Sequence, residues 1–92
     1  MHRQSILVTN KVGLHARPAS EFVKEASRFT SQIQIRNLTT GSDWINAKSI
    51  ISLLSLGVER GHKIEICAQG NDEQAALQAL IHLIQSDFKG RL

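Results

Sequence analysis

Tyrosine is absent from this 92-residue chain, proline and tryptophan occur once each, and a single cysteine stands at position 67. A lone thiol cannot close an internal disulfide, which excludes a disulfide scaffold and fits a reducing cytoplasm. Only Phe22, Phe29, Phe88 and Trp44 are aromatic, so there is no evident platform for stacking nucleic-acid bases. No apolar run approaches the ~18 residues of a membrane span. Met1-His2-Arg3-Gln4-Ser5 lacks the apolar core of a signal peptide. A cytoplasmic location is therefore expected, with neither membrane nor nucleic acid as a partner. His2, His62 and His82 are scattered, without the spacing of metal ligands, so no metal site and no cofactor is expected. Cys67 has no neighbour suggesting nucleophilic chemistry. Gly57-Val58-Glu59-Arg60-Gly61 puts three residues between its glycines and is not a G-x-x-G nucleic-acid clamp.

The net charge of +3 is spread singly among acidic neighbours such as Glu21, Glu25, Glu59 and Glu65, which suggests mild attraction to acidic protein partners. The length suits one domain over residues 1–92, with a modest core and an active site on the surface rather than in a deep cavity. Ser5–Thr9 reads as a strand. Ala19, Phe22, Val23, Ala26 and Phe29 recur at spacings of three and four, the mark of one apolar helix face. Gln32–Arg36 alternates, with Ile33 and Ile35 inward, and a loop from Asn37 to Ser42 leads to a short strand near Asp43–Ile45. Asn46 is placed to cap a brief helix carrying Ala47, Ile50, Ile51 and Leu54, ended by Gly57. Lys63–Ala68 alternates again, with Ile64, Ile66 and Ala68 inward and Cys67 on the other face. Asn71 and Gln74 resemble a capping box, ahead of a helix burying Ala76, Leu77, Leu80, Leu83 and Ile84. The expected fold is α+β: an open-faced β-sandwich in which a four-stranded, mainly antiparallel sheet carries three helices on one face, in the order βαββαβα.

The chemistry concentrates in Gly13-Leu14-His15-Ala16-Arg17-Pro18-Ala19. Pro18 belongs in a first helical turn, where a missing N–H costs little, and this places His15 at or beside the N-cap. The N–H groups of Ala16 and Arg17, the helix dipole and the Arg17 guanidinium then make an anion site around the ring. Neutral imidazole is a good nucleophile, and the positive surroundings should disfavour the imidazolium. Once phosphorylated, the ring would face groups that attract the dianion.

This stretch, together with Phe22-Val23-Lys24-Glu25-Ala26, Asn46-Ala47-Lys48-Ser49-Ile50, Leu54-Ser55-Leu56-Gly57-Val58 and Gly70-Asn71-Asp72-Glu73-Gln74-Ala75, resembles the HPr phosphocarrier proteins of the bacterial phosphoenolpyruvate:sugar phosphotransferase system. The resemblance implies a stoichiometric carrier in sugar uptake, itself no enzyme. His15 would accept a phosphoryl group on its δ1 nitrogen from phosphorylated enzyme I and donate it to a histidine of an enzyme IIA domain. It implies phosphate coordination by Arg17, a monomer, and a regulatory phosphorylation at Ser49 by a serine kinase/phosphorylase. The docking candidates are Ser20, Lys24, Ile50, Ile51 and Leu54. The chain departs from the family in a longer Asn37–Asp43 segment, in Trp44 and in Ser52. Two other readings compete: a regulatory binding module acting through Ser49, and a small RNA-binding α+β domain.

Overall fold

A computed structural model describes residues 1–88. The elements are β1 (His2–Leu7), α1 (Ala16–Ser27), β2 (Gln32–Asn37), β3 (Ile45–Asn46), α2 (Ile50–Ser55), β4 (Lys63–Gln69) and α3 (Glu73–Gln85). The sheet runs β1-β4-β2-β3 with every neighbouring pair antiparallel. The α+β open-faced sandwich is thus the fold observed.

Register explains the core. Ile64 pairs with Ile6, Ile66 with Ile35, and Ala68 with Ile33, so one pleat face carries a continuous apolar surface. Phe22, Ala19 and Ala26 of α1 and Ala76, Leu77, Leu80, Ile81 and Ile84 of α3 join it in one buried cluster. Val23 and Phe29 pack at its margin, partly buried. Cys67 lies on the opposite face, beside Arg3 and Gln34 in the register, yet it is buried there.

Several boundaries differ from the expectation, chiefly through long-range backbone pairing. β1 lies at His2–Leu7 rather than Ser5–Thr9, because β4 offers a ladder as far as Ala68, opposite His2. Val8 lies just beyond the strand, its N–H donating to His62 O and its carbonyl accepting from Gly61 N. β3 sits slightly later than expected, at Ile45–Asn46. Asn46 does not cap α2: the Ala47 N–H donates to Ile33 O at 3.0 Å, which keeps the chain on the sheet edge. The Asn46 side chain accepts from Lys48 N, and Ser49 is the N-cap, its Oγ accepting from Ser52 N. With the helix start moved on, Leu53 becomes the buried residue of α2, while Ile50, Ile51 and Leu54 face outward. The cap of α3 is Asp72 rather than Asn71.

Asp72 illustrates how a cap position can serve long-range packing. Its carboxylate accepts from the N–H groups of Thr30 and Ser31, both at 2.9 Å, and from the Ser31 hydroxyl, tying α3 to the entrance of β2. Beside it, Glu73 accepts from Gly70 N at 3.0 Å and meets His2 and the Met1 ammonium, which anchors the chain's first residues. The Ser31 hydroxyl, helped by the Thr30 N–H, holds the Asp72 carboxyl at about 2 against an ordinary 3.8. The Met1 ammonium, Gly70 N–H and His2 hold Glu73 at about 2 against 4.5. Both values are depressed in the folded chain, so the stability they contribute is present above the unfolded values and is lost as pH falls. Wild-type unfolding midpoints should therefore drop between about pH 4.5 and pH 2. A D72N/E73Q variant should start lower and lose less over that interval, as chemical denaturation at several pH values would show.

Candidate functional site

The segment before α1 is held by backbone contacts from a distant loop. Gly13 adopts φ +67°, and a Cβ there would stand 2.2 Å from the Val58 carbonyl oxygen. Two requirements coincide at this residue: left-handed backbone and the absence of a side chain. The Leu14 N–H donates to the same Val58 oxygen at 3.0 Å, and the Asn10 amide donates to Gly13 O at 2.7 Å. Leu14 is wholly buried, which pins the chain one residue before His15.

His15 is the N-cap of α1, with extended backbone and no side-chain capping bond. Its ring is consequently available for chemistry; the side chain is 33% exposed. Ala16, the next residue, has φ +54°, a left-handed conformation costing an L-residue about 1–2 kcal/mol. The strain sits at the candidate site, where such outliers tend to collect. Ala16 and Arg17 occupy the first two helical positions, whose N–H groups have no intrahelical acceptor, and Pro18 has no N–H to leave unpaired. Arg17 is exposed. The structure thus joins His15, Ala16 and Arg17 at one helix start.

Glu59 was not foreseen. Its Oε2 lies 2.9 Å from His15 Nε2, brought there from the loop between α2 and β4, 44 residues away in sequence. No local pattern marks it; the signal lay in the pairing of Leu14 with Val58, which only the folded chain reveals. A carboxylate against the ring opposes the positive helix end and Arg17, so the electrostatic setting of His15 is mixed rather than uniformly positive. The loop itself is braced by His62, whose Nδ1 accepts from Glu59 N at 3.1 Å and faces the Asn37 amide at 3.1 Å. His62 is half-buried and structural.

The remaining candidates form the surroundings. Ser20 and Lys24 are exposed on α1, one turn apart. Ile50, Ile51 and Leu54 are 39%, 79% and 43% exposed, so this is an apolar surface rather than core, on a helix that packs against α1. Ser49 is the cap of α2, with its hydroxyl accepting from Ser52 N. A shallow concavity of about 290 Å³ is lined by residues 30–34, Asn46 and Lys48 and includes none of the candidate residues. Among the described residues, no helix is long and apolar enough to cross a membrane.

Fold and site together define a small α+β domain with a partly exposed histidine at a helix start as its candidate surface site. Residues 2–86 match the model of a family described as the PTS HPr component phosphorylation site. An HPr-like protein Crh from Halalkalibacterium halodurans is 45% identical over 87 residues, covering 95% of this chain and 100% of that protein. A phosphocarrier protein HPr from Mycoplasma capricolum is 46% identical over 81 residues, covering 87% and 86%. The crystal structure of HPr-C-His from Thermoanaerobacter tengcongensis superposes with a TM-score of 0.92 at 44% identity over the whole of both chains. The chain also matches multiphosphoryl transfer proteins of Vibrio cholerae and Haemophilus influenzae, spanning only 20% and 15% of their lengths. The chain belongs to the HPr family of phosphocarrier proteins of the phosphotransferase system.

Gly13→Ala should lower stability by at least about 1–2 kcal/mol through the left-handed backbone alone, or roughly 4–8 °C in Tm per kcal/mol. Gly41, at φ +73° with open space around it, is the control for the backbone contribution. The further loss in Gly13→Ala, read by thermal unfolding, measures the collision with Val58.

Proposed function

We propose that His15 is the phosphoacceptor, taking a phosphoryl group on Nδ1 from phosphorylated enzyme I and passing it to a histidine of an enzyme IIA domain in sugar uptake. The observation that carries this reading is the placement of His15 itself. In a chain of the phosphocarrier family, it caps α1 without using its ring to do so, its side chain is one-third exposed, and the two residues after it carry N–H groups that lack helical acceptors. The N–H groups of Ala16 and Arg17 and the Arg17 guanidinium would receive the phosphoryl oxygens, as helix starts do for anions. The carrier works in the cytoplasm, as a monomer, and is a substrate of phosphotransferases rather than an enzyme. Incubation with phosphoenolpyruvate and enzyme I should yield an acid-labile, base-stable adduct that His15→Ala abolishes. An adduct persisting in that variant would reject the reading.

In the same reading Ser20, Lys24, Ile50, Ile51 and Leu54 form the surface on which both partners dock. Their support is the exposure of the three α2 residues, since apolar side chains gathered outside the core mark interaction sites. A charge there should be costly. Ile50→Glu is expected to raise KM for enzyme I about tenfold or more while leaving thermal stability nearly unchanged. A normal transfer rate in this variant would refute docking at Ile50.

A second reading, regulation through Ser49, draws on the position of that hydroxyl as the cap of α2. A serine kinase/phosphorylase acting there would replace the capping hydroxyl with a dianion beside Ile50, Ile51 and Leu54, changing which partners the surface accepts. A regulatory role also fits the likeness to Crh of Bacillus subtilis, 45% identical and described as the catabolite repression HPr. A kinase-dependent, acid-stable phosphoserine that weakens acceptance from enzyme I is the expected result.

A further inference from the structure

Glu59 reaches the candidate phosphoacceptor ring from outside α1, and the reaction as just described makes no use of it. We propose that Glu59 is a positioning residue for phosphoryl transfer at His15, its carboxylate keeping a proton on Nε2 so that the reacting lone pair lies on Nδ1. The proposal rests on His15 being the phosphoacceptor.

A carboxylate offers only acceptors, so a ring nitrogen hydrogen-bonded to it at 2.9 Å is the one that donates. A neutral imidazole carries a single N–H. With that proton on Nε2, Nδ1 is bare and directed to the other side of the ring. This tautomer choice is set by the partner of the non-reacting nitrogen.

The transfer then balances without a proton leaving the nucleophile. The Nδ1 lone pair forms a bond to the phosphorus of the donor phosphohistidine, and the donor's P–N bond breaks, its electron pair returning to the donor ring nitrogen. The His15 ring now holds phosphorus on Nδ1 and hydrogen on Nε2, with a positive charge that faces the Glu59 carboxylate. In onward transfer the same proton matters again, because the ring departs as neutral imidazole rather than as imidazolate. One contact therefore serves both acceptance and donation.

Glu59 is well placed for this because its backbone is fixed. Its N–H donates to His62 Nδ1, its carbonyl accepts from His62 N at 3.0 Å, and the preceding Val58 carbonyl accepts from Leu14 N. The two loops bearing carboxylate and ring are thus stitched together next to the contact. Other charged or titratable groups on these elements are Lys11, Arg17, Arg60 and His62. Glu59 is 63% exposed, so solvent weakens the pair and the effect is modest, roughly two- to fivefold in rate.

The test compares wild type with Glu59→Ala and Glu59→Gln in the full chain. Ring nitrogen NMR on unphosphorylated protein should show Nε2–H dominating in the wild type and an increased Nδ1–H fraction in Glu59→Ala. Acceptance from phosphorylated enzyme I should lose roughly two- to fivefold in kcat with KM nearly unchanged in Glu59→Ala. Glu59→Gln, whose carbonyl still accepts from Nε2–H, should restore the tautomer and most of the rate. A wild-type tautomer ratio in Glu59→Ala overturns the proposal, as does a changed ratio with unchanged transfer in both directions. Failure of wild type to take up phosphate at all would overturn the His15 reading as well, and is recognised by the absence of any adduct rather than by the NMR signals.

Discussion

The close passage of Gly13 over Val58 is the constraint on which the rest of this site depends. Leu14 N and the Val58 carbonyl are hydrogen-bonded across it, and no side chain fits between the two backbones. Two segments remote in sequence are thereby locked together, one leading into His15 and the other into Glu59. Removing this contact would leave His15 at a helix start but free of the opposing loop. The helix alone supplies donors and a positive end; the loop crossing supplies a fixed ring and a carboxylate.

Strain and exposure coexist here with a firm foundation. Ala16 holds a left-handed conformation that an isolated helix start would relax, and it persists because Leu14 on one side and Ala19 and Phe22 on the other are wholly buried. A small chain has little interior to devote to an enclosed site. It can instead fix a few surface atoms by anchoring the residues on either side of them. The apolar face of α2 shows the same arrangement: Leu53 and Leu56 hold the helix down, leaving Ile50, Ile51 and Leu54 exposed.

Much of the fold was legible because its periodicities are clean. Ile33 and Ile35, and Ile64, Ile66 and Ala68, alternate as strands with one buried face, and the α3 stripe at Ala76, Leu77, Leu80, Leu83 and Ile84 is buried throughout. The misreadings share one cause. β-branched residues alone point to a strand at Ser5–Thr9, yet an edge strand pairs through its backbone, and the polar His2, Arg3 and Gln4 complete the ladder. Local pattern alone points to Asn46 and Asn71 as caps. The bond from Ala47 N to Ile33 O keeps Asn46 on the sheet, and at the start of α3 Asp72 takes the cap position while its carboxylate tethers Thr30 and Ser31. At Asn46 a long-range hydrogen bond outweighed a local capping preference worth about 1 kcal/mol.

The candidate site divides along the same line. Sequence alone placed His15, Ala16, Arg17 and Pro18 together at a helix start, because neighbours on a chain remain neighbours and proline restricts where a helix begins. Tertiary structure alone decided which α2 residues face solvent, since that depends on where the sheet releases the chain. It alone brought Glu59 to the ring, because a contact across 44 residues leaves no periodic trace and is settled by how two loops cross.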